Sequence, residues 1–157
     1  MSIISTNRAH IRWMIRADFP EVLAIENETE PVLSFRWDES VLLHALRERN
    51  VVGMVADLDH LIAGYMIYSL DKHSINILKF AVSPSCQRRG IGEAMAVKME
   101  RKLEPGRRTL ITTTICERRI PAICFARAMG WRATGIVKGG YGEDDGYIFE
   151  YRIDETG

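Results

Sequence analysis

The sequence predicts a single α/β domain over residues 1–157 in which a mixed β-sheet is flanked by helices. Three observations carry this. Strand-like apolar runs alternate with amphipathic stretches along the whole chain. Near the middle, an apolar run ending at Val82 feeds a glycine pair, Gly90 and Gly92, that opens a helix, and a run rich in Thr and Ile follows. Strand, helix and strand in that order make a βαβ crossover between parallel strands. The chain then ends in two more strand-like runs, which pair to close the sheet.

Taken in order, residues 9–15 (A-H-I-R-W-M-I) alternate enough for a first strand. Asp18 and Glu21 have capping-box spacing and open a helix that carries Phe19, Val22, Leu23 and Ile25. The acidic, proline-containing stretch 26–31 is expected to interrupt it. A second helix starts near Asp38, with Val41, Leu42, Ala45 and Leu46 on its buried face. Residues 51–56 and Leu61–Leu70 read as strands around an Asp-Leu-Asp-His turn. A turn at 71–73 leads into Ser74–Val82, whose lack of strict alternation suits a strand covered on both faces. The helix after the glycines places Ile91, Met95, Met99 and Leu103 on one stripe, and Pro105-Gly106 stops it. Residues 109–116 form the next strand. Pro121 suits the first turn of a helix running to Met129, with Gly130 as terminator. Residues 131–137 and 147–153 form the closing strands, with a loop over 139–146.

Composition narrows the function. Lys plus Arg and Asp plus Glu both number 21, so no global field draws in nucleic acid or an anionic membrane. Three cysteines without metal-ligand spacing point to a reducing, cytoplasmic setting rather than a disulfide framework. The N-terminus shows no long apolar leader, and no segment reaches membrane-spanning length. The four histidines are scattered and suggest no metal site. Trp13, Trp37 and Trp131 read as core or pocket wall.

The segment from Val82 to Gly92 carries the chemistry. A helix start leaves backbone N–H groups unpaired and adds a favourable dipole, so a glycine-rich turn feeding it can hold a phosphate. Gly90 and Gly92 lack a Cβ and permit close approach, while Arg88 and Arg89 add positive charge. A phosphorylated cofactor is therefore expected. The Walker A pattern fails because no Lys-Ser or Lys-Thr follows these glycines, and the dinucleotide fingerprint fails at Met95.

Gln87-Arg88-Arg89-Gly90-Ile91-Gly92, after an apolar strand and a Val-x-Pro turn, resembles the acetyl-coenzyme A signature of the GNAT superfamily of N-acetyltransferases. The resemblance extends over nearly the whole chain and is strongest to the bacterial branch that acetylates the N-terminal alanine of a ribosomal protein. It implies a sheet splayed open where the pantetheine arm inserts. It assigns Phe80, Ala81 and Val82 to the strand end that pairs with that arm, and Gln87, Arg88, Arg89, Gly90, Ile91, Gly92 and Glu93 to the pyrophosphate turn. Residues 122–131 resemble the family's A-I-x-L-Y-E-K-L-G-F helix, Tyr141 falls near its paired tyrosines, and Asp145-x-Tyr147 resembles its closing strand.

The chain departs from that family at three working positions. Ala126 stands where the general-acid tyrosine is found, Arg119 where an asparagine flanks the cofactor, and Thr114 where the alanine acetyltransferases carry a basic glutamate. Acetyl transfer tolerates such losses. Orientation can supply about 7–11 kcal/mol, whereas a positioned acid or base contributes typically ~10²–10⁴-fold. The amine must still be neutral, which is easier for an α-amine (pKa about 8) than for lysine (about 10.4). Glu117, just past the strand end, and Tyr141 are the candidate replacement groups. The acidic sets Glu26/Glu28/Glu30 and Glu143/Asp144/Asp145 could attract a cationic acceptor, although such runs are commonly solvated. The expectation is an acetyl-coenzyme A-dependent N-acetyltransferase acting by direct attack on a primary amine, such as a protein or peptide N-terminus. A small-molecule amine as acceptor, or an acetyl-coenzyme A sensor without turnover, are the alternatives. The acceptor and the oligomeric state are not encoded in any motif found here.

Overall fold

The computed structural model describes residues 9–154. Seven strands form one mixed sheet: β1 (His10–Trp13), β2 (Val51–Leu58), β3 (Leu61–Leu70), β4 (Ser74–Val82), β5 (Leu110–Cys116), β6 (Arg132–Tyr141) and β7 (Asp144–Arg152). Their order is β1-β2-β3-β4-β5-β7-β6, and only β4 and β5 run parallel. The helices are α1 (Phe19–Thr29), α2 (Glu39–Arg47), α3 (Ile91–Glu100) and α4 (Ile120–Ala128). The β4-α3-β5 crossover is the one expected from the sequence.

Period-two alternation in β3 divides the core. Tyr65 and Ile67 join Val22, Leu42 and Val55 beneath α1 and α2, whereas Met66 and Tyr68 join Met95, Met99 and Ile111 beneath α3 and α4. Both faces of the sheet are thus covered, which is why β3 reads as a continuous apolar run.

Several local expectations change. β1 is shorter than 9–15 and ends at Trp13, whose ring is 77% exposed and contributes to neither core nor pocket. Asp18 makes no capping bond to α1. Its carboxylate accepts the Ile15 amide and both terminal nitrogens of Arg12, at 2.8 and 2.9 Å, while Glu21 accepts the Ile62 amide. Residues 26–29 of the acidic stretch continue α1 instead of breaking it. Asp38 does cap α2, accepting from the Val41 amide, but Val41 itself is exposed. The Asp-Leu-Asp-His turn shrinks to Asp59 and His60, both with positive φ as a two-residue hairpin of the I′ kind requires. The loop expected over 139–146 is mostly strand, because β6 and β7 continue to a tight turn at residues 142–143.

The sheet forks between β4 and β5. The two strands pair only from Ser74 with Leu110 to Ile77 with Thr113. A register shift against β3 leaves Leu78 as a bulged extra residue, which bends β4. β5 meanwhile stays paired with β7 as far as Cys116. Beyond the last shared rung, where the Thr113 hydroxyl donates to Ile77 O, residues 79–82 and 114–116 diverge.

Candidate active site

The fork opens a cleft of about 1010 Å³. At one end lies the glycine turn. Ser83 donates its amide to Ala63 O, a 3-10 turn follows at Pro84–Cys86, and the Gln87 side chain donates to Val82 O. Gly90 takes the left-handed N-cap conformation of α3, with φ +75°, and Arg88 has φ +67°. The first intrahelical bond runs from Ala94 N–H to Gly90 O at 3.0 Å, so the amides of residues 91–93 have no acceptor within the helix. A Cβ at Gly90 would meet no protein atom within 4 Å, so the space in front of this helix start is open. Gln87, Arg88, Gly90, Ile91, Gly92 and Glu93 line the cleft, with Ile91 also anchored in the core. Arg89 is exposed and does not line it.

Phe80, Ala81 and Val82 form the wall leading away from this turn. Opposite them stands α4, whose Ala122, Phe125 and Ala126 face the same space. Phe80 and Phe125 meet edge to face at 5.6 Å, and a Cβ on Gly92 would touch Phe125 and Val82 at 3.3 and 3.4 Å. Arg119 spans the opening, donating from Nη2 to Phe80 O at 3.2 Å.

The far end is built from a buried polar cluster of which sequence reasoning found the carboxylates but not the lysine. Lys79 Nζ contacts Glu26 Oε2 at 2.7 Å and Glu30 Oε1 at 3.2 Å, and donates to Phe35 O at 2.9 Å. The same ammonium lies 5.6 Å from the Trp37 ring, and Glu26 also accepts the Trp37 amide and the Tyr65 hydroxyl. Burial, reinforced by the Glu26 charge, pushes the Tyr65 phenol well above its ordinary value. Glu26 and Glu30 are therefore not a solvated face, although Glu28 is exposed at the cleft rim. A lone lysine in the run I-N-I-L-K-F-A-V was the available signal, because a cation in a covered strand must find carboxylates.

The two candidate proton carriers part company. Tyr141 lines the cleft, meets the Phe35 ring in a tilted contact at 4.9 Å and donates its hydroxyl to Thr114 O at 3.1 Å. Burial, with Glu30 adding to it and Arg119 opposing, raises its phenol above the ordinary value, so Tyr141 is neutral at physiological pH. Glu117 does not line the cleft. Its carboxylate accepts the Asp145 amide at 2.9 Å and its own amide donates back to Asp145 O, a reciprocal bracket that holds the β5 end against β7. The expected base is thus engaged elsewhere. Asp144 pairs with Arg118, Asp145 accepts the Gly139 amide, and the set 143–145 does not line the cleft. Among the described residues there is no cluster suited to a metal ion, and no helix long and apolar enough to cross a membrane.

A forked mixed sheet with a glycine-rich helix start on one wall of the fork and a titratable cluster at its far end defines a coenzyme-dependent transferase. The particular family follows from comparison: the model for the acetyltransferase (GNAT) family matches residues 8–131, and the chain belongs to that family. Its co-substrate is acetyl-coenzyme A, and the chain is an N-acetyltransferase by membership. Ard1 from Thermoplasma volcanium is similar in structure, with TM-score 0.79 and 20% identity over 94% of this chain and 99% of that one. The ribosomal-protein-S18-alanine N-acetyltransferase from Escherichia coli gives 0.78 and 18% over 95% and 96%. NAA60 of Arabidopsis thaliana, in complex with a bisubstrate analogue, gives 0.77 and 15% over 94% and 99%. None of the curated proteins matches the chain by sequence.

Proposed function

We propose that the protein transfers acetyl from acetyl-coenzyme A to the α-amine of a protein or peptide, by direct attack within a ternary complex. The single observation that carries this is one continuous cleft with an anion-receptive helix start at one end and a buried carboxylate cluster at the other. Arg88 and the amides of residues 91–93 would hold the pyrophosphate, and the open edge of Phe80, Ala81 and Val82 would pair with the pantetheine amides. Ala81 and Gln87 shape that wall. Arg89 would add only long-range attraction.

At the acceptor end Phe35, Trp37 and Tyr141 form an aromatic rim. Glu28 and Glu30 line the cleft and offer carboxylates to an incoming ammonium, with Lys79, Arg118 and Arg119 as the cations that balance them. A neutral phenol is a poor base, so Tyr141 orients the amine by accepting a hydrogen bond, and the proton leaves to water. That arrangement suits an α-amine, which deprotonates near pH 8, better than a lysine near 10.4. The ribosomal-protein-S18-alanine N-acetyltransferase that resembles this chain in structure supports the same reading by its name.

Release of free thiol, measured with a panel of peptides, lysine derivatives and small amines, tests the proposal. Peptide N-termini should outperform the others at neutral pH. Preference for a polyamine would overturn the acceptor class. The second reading, an acetyl-coenzyme A sensor, is favoured by Ala126 in place of an acid, and it requires tight binding without turnover on any amine.

A further inference from the structure

The reaction leaves a thiolate, and position 126 on the cleft face of α4 carries no acid to meet it. Ala126 faces the cleft with a methyl group. Arg119 lies seven residues earlier, two helical turns back, and so falls on the same face at the start of α4. Both residues line the cleft. The guanidinium is held over the fork by its bond to Phe80 O. With phosphate at residues 88–93, an extended arm must run back along β4 from Val82 towards Phe80 and the closed end of the fork at Ile77. Its sulfur end therefore arrives beside Arg119.

We infer that Arg119 is a catalytic residue of this enzyme, whose fixed positive charge stabilises the departing thiolate in place of a proton donor. The inference rests on the proposed transfer reaction. The amine nitrogen forms a bond to the thioester carbonyl carbon, the carbon–sulfur bond breaks with its electron pair going to sulfur, and the amine's proton goes to water. The thiolate stays unprotonated because arginine does not give up its own proton, and the charge-assisted contact replaces the missing acid. Sharing this part of the cleft with Arg119 are Glu28, Glu30, Lys79, Arg118 and Tyr141, and Tyr65 lies within its field. Arg88 and Glu93 belong to the glycine-turn end.

The test compares the affinities of coenzyme A and desulfo-coenzyme A by calorimetry, from pH about 6 to 9, spanning the ordinary thiol value near 8.5. The ratio cancels every contact except the one to sulfur. A cation close to the sulfur lowers its pKa by about 1–3 units, so the wild-type preference for coenzyme A should grow roughly 10–10²-fold across that range as the thiol ionises. In Arg119→Gln that growth should vanish while desulfo-coenzyme A still binds as in wild type. kcat should fall by roughly 10²–10³-fold, the scale for losing one charge-stabilising donor, with KM for acetyl-coenzyme A little changed. Arg119→Lys, which keeps the charge, should restore part of the pH-dependent preference and of kcat. If Arg119→Gln loses desulfo-coenzyme A binding, Arg119→Lys carries the comparison. A preference that is flat with pH in wild type, or equal in wild type and Arg119→Gln, overturns the role of Arg119. Failure of both compounds to bind wild type overturns instead the reading of the cofactor site.

Discussion

Lys79→Met removes the one cation between two buried carboxylates, and its cost can be worked from the contacts. Glu26 would keep the Trp37 amide and the Tyr65 hydroxyl, so most of its hydrogen bonding survives. Glu30 would keep only the Val32 amide, at a long 3.4 Å. Removing one partner of a buried ion pair costs roughly 3–5 kcal/mol. The cleft admits water to Glu30, so we expect the low end, about 3 kcal/mol. For a domain of this length that is a melting shift of about 6–12 °C, at 2–4 °C per kcal/mol. Thermal and chemical denaturation both read it. Lys79→Met combined with Glu30→Gln removes the stranded charge and should recover about half the loss, since neutral partners avoid the charged-group penalty. Because Lys79 also holds Phe35 O and lies beside Trp37, the single variant should raise KM for the amine more than KM for acetyl-coenzyme A. A single variant within about 0.5 kcal/mol of wild type, the range of an ordinary surface change, would refute the cluster as a structural element.

Two further outcomes follow from the same structure. Coenzyme A at ~100 Kd should stabilise the protein by about 2.7 kcal/mol. Gly90→Val should abolish most of that shift, whereas Gly90→Ala, which pays a left-handed backbone penalty of roughly 1–2 kcal/mol, less than a β-branched valine, and adds little bulk, should retain more of it; equal shifts in all three proteins would move the phosphate site elsewhere. Asp18 is held below the ordinary carboxylate range, chiefly by its hydrogen bonds from Arg12. A carboxylate depressed on folding contributes stability above its unfolded value, about 3.9, and loses it as pH falls through the folded value. Asp18→Asn should therefore lower stability by roughly 1.5–3 kcal/mol at neutral pH and flatten the acid limb of a denaturation series, and an unchanged acid limb would show that other groups govern it.

The legibility of this fold tracks the range of the interactions. β3 and β4 have the boundaries the sequence implies, because their ends are set by adjacent turn residues. The α2 start is legible at Asp38 for the same reason. Asp18 misleads because Arg12 competes for its carboxylate more strongly than the local amide it would cap. The acidic stretch 26–31 looks like a helix end, yet Glu26 and Glu30 lie four apart on one face and meet Lys79 from β4. The site divides in the same way. Its glycine turn is contiguous in sequence and was found there, whereas the acceptor end draws on α1, β3, β4 and β6 and is joined only by folding. Glu117 shows the complementary error: proximity to the strand end is visible in sequence, but the Asp145 amide that claims its carboxylate is not.

The fork links these observations to function. An edge strand with free main-chain groups is ordinarily a liability, open to pairing with any extended segment. Here the exposed stretch of β4 is short, begins at the Leu78 bulge and faces α4 across a narrow cleft rather than open solvent. Pairing is thereby restricted to something slender enough to enter and carrying amides of its own. The Thr113 to Ile77 bond fixes where the opening starts, and β7 holds β5 away from β4. Arg119 meanwhile satisfies Phe80 O across the gap. That contact keeps a partly buried carbonyl paired before coenzyme arrives, and it stations a cation at the depth the sulfur must reach. The substitutions away from the family pattern then form one arrangement. A small residue at 126 leaves room for the thiolate, and an arginine at 119 supplies, as charge, what a tyrosine at 126 would supply as a proton.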